Sequence, residues 1–124
     1  MTKTIERRIS LAAKAASLSR SKFQVGCTIY KGARQLSVGR NQMKKTHRGA
    51  MRHYDFPYPH AEFNALKSIH PDNIKNCVVY VARLDKTGSY AMAKPCKCCQ
   101  QMLREAGIKT VYYTTSNGIE RINL

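Results

Sequence analysis

The sequence predicts an α/β fold: a three-layer sandwich in which one mixed sheet of about five strands carries helices on both faces. Two observations predict it. Segments with helical and with β-strand patterning follow one another in the order α-β-β-α-β-α-β-β. The length of 124 residues and the 43% hydrophobic content suit a single domain over residues 1–124, with a core that needs no disulfides. No linker, internal repeat or low-complexity tract divides the chain.

The first elements are a helix and a hairpin. Residues 3–20 predict an amphipathic helix because apolar residues recur at steps of three and four: Ile5, Ile9, Ala12 and Ala16. Residues 24–30 and 35–39 are β-prone and predict two strands joined by a turn. Residues 40–59 are polar and basic without a clear period, and we expect a long, functional or disordered loop there.

The second half of the chain alternates between the two kinds of element. Five segments follow in the order helix, strand, helix, strand, strand: residues 60–69, 78–82, 96–106, 110–114 and 119–124. The second of these is an uninterrupted apolar run, which is typical of a buried central strand. We expect a loop at residues 84–94 and a tight turn at 116–118, so that the last two strands form a hairpin.

The charge is strongly asymmetric. Lys and Arg total 22 against 7 Asp and Glu, a net charge of +15, and no acidic residue lies between Glu6 and Asp55. Such a field attracts polyanions such as phosphate-bearing metabolites, RNA or DNA, although the same charges are also compatible with a merely solvated surface. No apolar run is long enough to span a membrane and no signal-peptide pattern opens the chain, so we expect a cytoplasmic protein without a membrane partner.

Two short strings carry candidate chemistry, each at the start of a predicted helix: His60-Ala61-Glu62 and Pro95-Cys96-Lys97-Cys98-Cys99. One helical turn separates Cys96 from Cys99, and with His60 they supply the three protein ligands of a catalytic Zn²⁺. Such an ion lowers the pKa of its bound water to about 7. Glu62 is then a carboxylate available to move protons.

The other cysteines are expected to be non-ligands. Helical geometry turns Cys98 away from its neighbours, and Cys27 and Cys77 lie in or beside strands, where small core residues are common. The alternative is a closed structural zinc site with Cys27 or Cys77 as a fourth ligand. That alternative leaves Glu62 without a role.

The two strings resemble the H-x-E…P-C-x-x-C signature of the zinc-dependent cytidine and deoxycytidylate deaminase superfamily, with 33 residues between Glu62 and Cys96. The resemblance covers most of the chain. It implies a cytidine deaminase-like fold, one Zn²⁺ per chain and hydrolytic loss of ammonia from a cytosine- or adenine-type ring. It also implies that Glu62 moves protons to the ring nitrogen and the leaving amine.

Substrate contacts follow from the same resemblance. Asn41, the last residue of Gly39-Arg40-Asn41, matches a family position that contacts the sugar, and the backbone around Ala61 is expected to meet the base.

The loop adds four candidates. We expect Phe56 or Tyr58 either to stack on the base of the substrate or to pack within the loop. We expect Lys44 and Arg48 either to bind phosphate or to remain solvated.

The sequence indicates the substrate class less sharply than it indicates the metal site. Residues 93–96 look like small deoxycytidylate-type deaminases of phages, whereas the final hairpin looks like the free-nucleoside branch. We expect a deaminase of a cytosine nucleoside or nucleotide, with dCMP favoured, and a homo-oligomer. The +15 charge keeps two alternatives open: a deaminase of single-stranded DNA or RNA, and a non-catalytic, zinc-stabilised nucleic-acid-binding module. Against the first, nucleic-acid deaminases usually have a further helix after the fourth strand.

Overall fold

The computed structural model describes residues 2–42 and 60–124. Within these ranges lie three α-helices: α1 (Lys3–Ser17), α2 (Ala61–Leu66) and α3 (Lys97–Glu105). The strands of the same ranges are β1 (Gln24–Lys31), β2 (Arg34–Arg40), β3 (Val78–Leu84), β4 (Tyr90–Ala91), β5 (Thr110–Thr115) and β6 (Gly118–Asn123). A 3₁₀ turn, Pro71–Asn73, follows α2. None of the described helices is long and apolar enough to cross a membrane.

The strands form one mixed sheet with the order β2-β1-β3-β5-β6. Only β3 and β5 are parallel among these neighbours, and the register runs from Val78 opposite Thr110 to Val81 opposite Tyr113. The predicted α/β class, its mixed sheet with helices and the terminal hairpin are therefore confirmed.

The two faces of the sheet carry separate cores because successive strand residues point to opposite sides. On β3, Val79 and Val81 belong to the cluster that contains α2 and α3, whereas Tyr80 and Ala82 belong to the cluster that contains α1. All four side chains are almost completely buried. The strand read from sequence as a continuous apolar run is thus covered on both sides, as the three-layer prediction requires.

The expected loop at residues 84–94 contains a sixth strand, β4, which the sequence prediction missed. Its two residues pair with the end of β3, Ala91 opposite Arg83 and Tyr90 opposite Leu84. The turn between them is closed by Asp85, whose carboxylate accepts hydrogen bonds from the backbone N–H groups of Thr87 and Ser89 at 2.8 and 3.0 Å. A two-residue strand has no periodicity, so only its partner reveals it.

Two predicted helices are shorter than expected. The first ends at Ser17 rather than near residue 20, because the N–H groups of Leu18 and Ser19 bond to the carbonyls of Ala15 and Ala16, a tightening that ends the helix. The second spans Ala61–Leu66 rather than residues 60–69, and the Ile69 N–H bonds to Leu66 in a final turn.

Glycines allow both helix layers to approach the sheet closely. A Cβ atom on Gly26 would overlap the Ala12 carbonyl oxygen of α1 and lie 2.6 Å from the Ala16 nitrogen. A Cβ atom on Gly39 would lie 2.5 Å from the Ala65 nitrogen and 2.8 Å from the Ala61 carbonyl oxygen of α2. Backbone atoms cannot move aside as a flexible side chain can, so the helix as a whole would have to shift.

We expect Gly26→Ala to lower the free energy of unfolding by about 1–3 kcal/mol, because the added methyl group overpacks the contact between α1 and β1. Urea unfolding followed by circular dichroism measures this loss. Arg34→Ala, at an exposed position on β2, is the control and should change stability by no more than about 0.5 kcal/mol. Equal stability of Gly26→Ala and the unmodified protein would contradict the close approach of α1.

Candidate active site

Helix α2 positions the histidine and the glutamate. His60 is the N-cap of α2 and is half-buried, and Glu62 lies in the first turn. Two hydrogen bonds fasten α2 to β2: the Ser37 hydroxyl donates to the Ala65 carbonyl at 2.7 Å, and the Asn64 amide donates to the Arg40 carbonyl at 2.7 Å. Together with the close approach over Gly39, these bonds hold α2 against β2.

Helix α3 positions the two cysteines. Cys96 is its N-cap, and the Cys96 sulfur accepts a hydrogen bond from the Cys99 backbone N–H at 3.5 Å. The Gln100 side-chain amide donates to the Pro95 carbonyl at 2.8 Å, which closes the turn before the helix. Cys96 is exposed and Cys99 is completely buried. The helix start therefore presents one sulfur to the surface and one to the core.

The three predicted ligands meet. His60 Nδ1 lies 3.2 Å from Cys99 Sγ and 3.8 Å from Cys96 Sγ, and all three donor atoms are within 4.8 Å of one another. Ligand atoms of a tetrahedral zinc ion, with bonds of about 2.0–2.3 Å, lie about 3.5–3.8 Å apart. One imidazole nitrogen and two thiol sulfurs at these separations fit a zinc ion with a position left for water.

The cluster favours one thiolate. Hydrogen bonds from Cys99 and His60 lower the pKa of Cys96 to about 4. The pKa of Cys99 is raised, first by its hydrogen bond to Cys96 and then by burial. The pKa of His60 is raised, chiefly by its hydrogen bond to Cys96. The negative charge therefore belongs on Cys96, which is exposed and lies at a helix N-terminus, where the dipole favours an anion.

Glu62 is a buried carboxylate beside this cluster, only 5% exposed. Burial raises its pKa, and the thiolate of Cys96 adds to the effect, while the backbone hydrogen bond at Glu62 and the charge of His60 oppose it. The environment thus favours the protonated acid more than water does, which suits a group that must both take up and release a proton.

A pocket of about 240 Å³ opens next to the cluster. Its lining residues come from α2, from the ends of β1, β2 and β3, and from the segment before α3: Phe23, Val25, Asn41, His60, Ala61, Glu62, Arg83, Met92, Ala93, Lys94 and Cys96. The volume is slightly below the range of about 300–1,000 Å³ that is typical of small-ligand sites. Three of the four residues predicted for metal and proton chemistry therefore line one cavity with the predicted contacts Asn41 and Ala61.

Asn41 lines the pocket with its side-chain amide already engaged. Its Oδ1 accepts from the Val25 N–H at 3.1 Å, and its Nδ2 donates to the Phe23 carbonyl. Its own carbonyl accepts from the Ser19 hydroxyl at 3.0 Å. Asn41 thus ties the end of β2 to the entrance of β1 and holds two other lining residues in place. The four loop candidates, Lys44, Arg48, Phe56 and Tyr58, lie outside the described residues.

The remaining cysteines do not join the cluster. Cys27 and Cys77 are buried core residues, and the Cys77 thiol donates to the Asn73 carbonyl at 3.2 Å. Cys98 is partly buried against the core. Among the described residues, the group that could hold a metal contains His60 and the other two cysteines alone. This arrangement does not favour a closed site with a fourth cysteine.

Sequence reasoning missed several residues of the pocket wall, notably Phe23, Arg83 and Met92, and gave Lys94 no role in binding. A signal for Arg83 was present: it follows Val79 and Val81 at steps of two and so lies on the same face of β3 as the ligand helices. Phe23 and Met92 lie just outside predicted elements, where no periodicity assigns a face.

A family model described as "Cytidine and deoxycytidylate deaminase zinc-binding region" matches residues 2–115. No curated protein matches the chain significantly.

Solved structures share the fold at low sequence identity. A dCMP deaminase from the cyanophage S-TIM5, in apo form, is 24% identical with a TM-score of 0.66, over 91% of this chain and 84% of the phage chain. A cytidine deaminase from Burkholderia pseudomallei is 19% identical with a TM-score of 0.69, over 99% and 93%. A cytidine deaminase from Mycobacterium leprae is 20% identical with a TM-score of 0.60, over 98% and 94%. These likenesses support the fold.

We expect Cys96→Ser and Cys99→Ser to purify with far less than one zinc ion per chain, because a serine hydroxyl replaces a thiolate ligand poorly. Cys98→Ser is the matched control in the same helix and should retain the metal content of the unmodified protein. Elemental analysis after dialysis measures the ratio. A loss of zinc in Cys98→Ser, or none in Cys99→Ser, would contradict the ligand set.

We also expect the stability advantage of Glu62→Gln over the unmodified, zinc-free protein to grow as the pH rises. Below an ordinary pKa of 4.5, Glu62 is neutral in the folded and the unfolded chain. Above it, the unfolded chain ionises while the folded chain keeps the proton, so the unmodified protein loses stability until the pH passes the raised, folded-state pKa. Glutamine has no such loss. Urea unfolding between about pH 4 and 8 measures the difference, and a gap that narrows with pH would refute it.

Proposed function

The chain belongs to the cytidine and deoxycytidylate deaminase family, a family of hydrolytic deaminases, and from this premise we propose that it converts a cytosine nucleotide, with dCMP favoured, to the uracil form and ammonia. The observation that carries the proposal is the position of Glu62. It is a buried carboxylate in the wall of a pocket that also contains His60 and Cys96. A purely structural zinc site has no use for such a group.

His60, Cys96 and Cys99 would hold the zinc ion. When bound, zinc supplies Lewis-acid activation of water at neutral pH. The thiolate favoured at Cys96 and the position of both sulfurs at the start of α3 prepare the site for a cation. Cys99 anchors the site in the core, and Cys96 and His60 face the pocket.

Glu62 would move the protons. Its carboxylate oxygen takes one proton from water and delivers it to the ring nitrogen N3, and then takes the second proton from the oxygen now bonded to C4 and delivers it to the leaving amine. The C4–O bond forms, the C4–N bond breaks, and ammonia leaves while C4 becomes a carbonyl, so one water is consumed for each ammonia released. The raised pKa of Glu62 suits this role because the group holds a proton in one step and releases it in another.

Two observations support a nucleotide as substrate. The S-TIM5 deaminase, similar in fold, has been solved in complex with dCMP and dUMP, with 23% identity and a TM-score of 0.65. The pocket wall of this chain also carries two basic residues, Arg83 and Lys94. Within the same proposal, Asn41 positions the sugar and the backbone at Ala61 meets the base. Lys44 and Arg48 stay candidates for phosphate, and Phe56 and Tyr58 for stacking.

A second candidate function is deamination of single-stranded DNA or RNA, which the net charge of +15 favours. The same charge would suit the non-catalytic nucleic-acid-binding module, but that module leaves the buried Glu62 unexplained. The cytoplasmic location and the homo-oligomer stay predictions.

The test is ammonia release by the zinc-loaded protein from cytidine, deoxycytidine, CMP, dCMP, adenosine and a cytosine-containing single-stranded oligonucleotide. We expect turnover with dCMP, and we expect Glu62→Gln to lower it by about 10²–10⁴-fold while zinc content is unchanged, because the loss is that of one general acid–base group.

Turnover only with the oligonucleotide would replace the leading proposal by the second candidate. Full activity of Glu62→Gln would remove the assigned role of this carboxylate. Oligonucleotide binding without any ammonia release would favour the binding module.

A further inference from the structure

Arg83 reaches the candidate active site from the sheet rather than from a helix. It is the sixth of the seven residues of β3, opposite Val25 on one side and Ala91 on the other. It lies on the same face of β3 as Val79 and Val81, the face that α2 and α3 cover. Its side chain and that of Lys94 line the same pocket as Glu62 and His60.

The backbone at this point is held firmly. The Arg83 N–H donates to the hydroxyl of the fully buried Thr114 at 3.1 Å, and that hydroxyl donates to the Ala91 carbonyl at 2.8 Å. The Thr114 carbonyl in turn accepts from the Ala93 N–H at 2.9 Å. One threonine therefore locks β3 to the segment that leads to Lys94, and both basic residues start from a rigid frame.

The guanidinium group of Arg83 is held in place and forms no ion pair with the described residues. It stacks 4.6 Å from the centre of the Phe23 ring, which limits its freedom. Its Nε atom is buried without a hydrogen-bond partner among the described residues. Within residues 2–42 and 60–124, neither Arg83 nor Lys94 forms an ion pair with a carboxylate. A planar donor group fixed in a pocket, with no ion pair in the part of the chain that the structure describes, is suited to bind an anion from outside.

We propose that Arg83, assisted by Lys94, binds the phosphate of the substrate and so makes the enzyme specific for a cytosine nucleoside monophosphate over the free nucleoside. This inference rests on the proposed function and names the substrate class of the same site. A guanidinium fork can donate two hydrogen bonds to phosphate oxygens, and the exposed ammonium of Lys94 adds a second positive charge for the dianion. The aromatic ring of Phe23 keeps the fork in place.

The test combines turnover with binding. We expect Arg83→Gln to lower kcat/KM for dCMP by about 10–100-fold and to change that for deoxycytidine by less than about threefold, since only the phosphate contact is lost. Lys86→Gln removes an equal charge from the exposed β3–β4 turn and is the matched control. It should leave both substrates unaffected. Thermal unfolding of each variant checks that the fold is retained.

A binding measurement keeps this inference separate from the proposed function. Calorimetric titration of the zinc-loaded Glu62→Gln protein with dCMP and with deoxycytidine, with and without Arg83→Gln, reports the phosphate contact even if no substrate is turned over. Weaker binding of dCMP alone in the double variant supports the inference. Equal weakening of both ligands, no weakening, or no binding of dCMP overturns it. The inference is also overturned if a cytosine-containing oligonucleotide binds more tightly than dCMP does and its binding depends on Arg83.

Discussion

The parallel pairing of β3 with β5 is the constraint on which the site depends. Two parallel neighbours need a crossover between them, and here the crossover carries α3 across one face of the sheet. The start of α3 is thereby brought to the end of the sheet where β3 finishes. Since β1 runs antiparallel to β3, its first residues lie at that same end, as does Asn41 after β2. In α/β sheets, ligands characteristically bind outside the carboxyl ends of the parallel strands, which here are β3 and β5.

Hydrogen bonding at Cys96 and burial at Glu62 shift the pKa values of these two neighbouring groups in opposite directions. Hydrogen bonds from Cys99 and His60 lower the pKa of Cys96 to about 4 and favour its thiolate, whereas burial raises the pKa of Glu62 and favours its protonated form. The completely buried Cys27 has a strongly raised pKa, first from burial and then from the charge of Glu62. Cys27 is therefore a neutral thiol that packs in the core. Neighbouring positions of the same site therefore favour a thiolate at Cys96, which suits a metal ligand, and a protonated carboxyl at Glu62, which suits proton transfer.

The net positive charge of the chain says less about where a phosphate would bind than the positions of individual Lys and Arg side chains do. Among the described residues, the pocket next to the ligand cluster is lined by just two Lys or Arg side chains, Arg83 and Lys94. Three others, Lys14, Arg40 and Lys67, line a larger groove between α1, β2 and α2. A phosphate bound by the first pair would contact charges positioned by β3 and by the segment before α3, rather than the diffuse field of the whole surface.

The sequence by itself determined the order of the elements, the mixed sheet and the residues His60, Glu62, Cys96 and Cys99 as a candidate site. These inferences depend on local spacing, on period two, on period 3.6 and on one helical turn between the cysteines. Only the tertiary structure decided that β4 exists, where α1 and α2 end, that the Asn41 amide ties β1 to β2, and that Arg83 enters the pocket. The pairing of β4 and the Asn41 tie depend on contacts between separate segments, and the helix ends depend on three-residue hydrogen bonds that leave no mark on hydrophobic periodicity. Period two places Arg83 on one face of β3, but the pocket on that face is formed only by the packing of other elements.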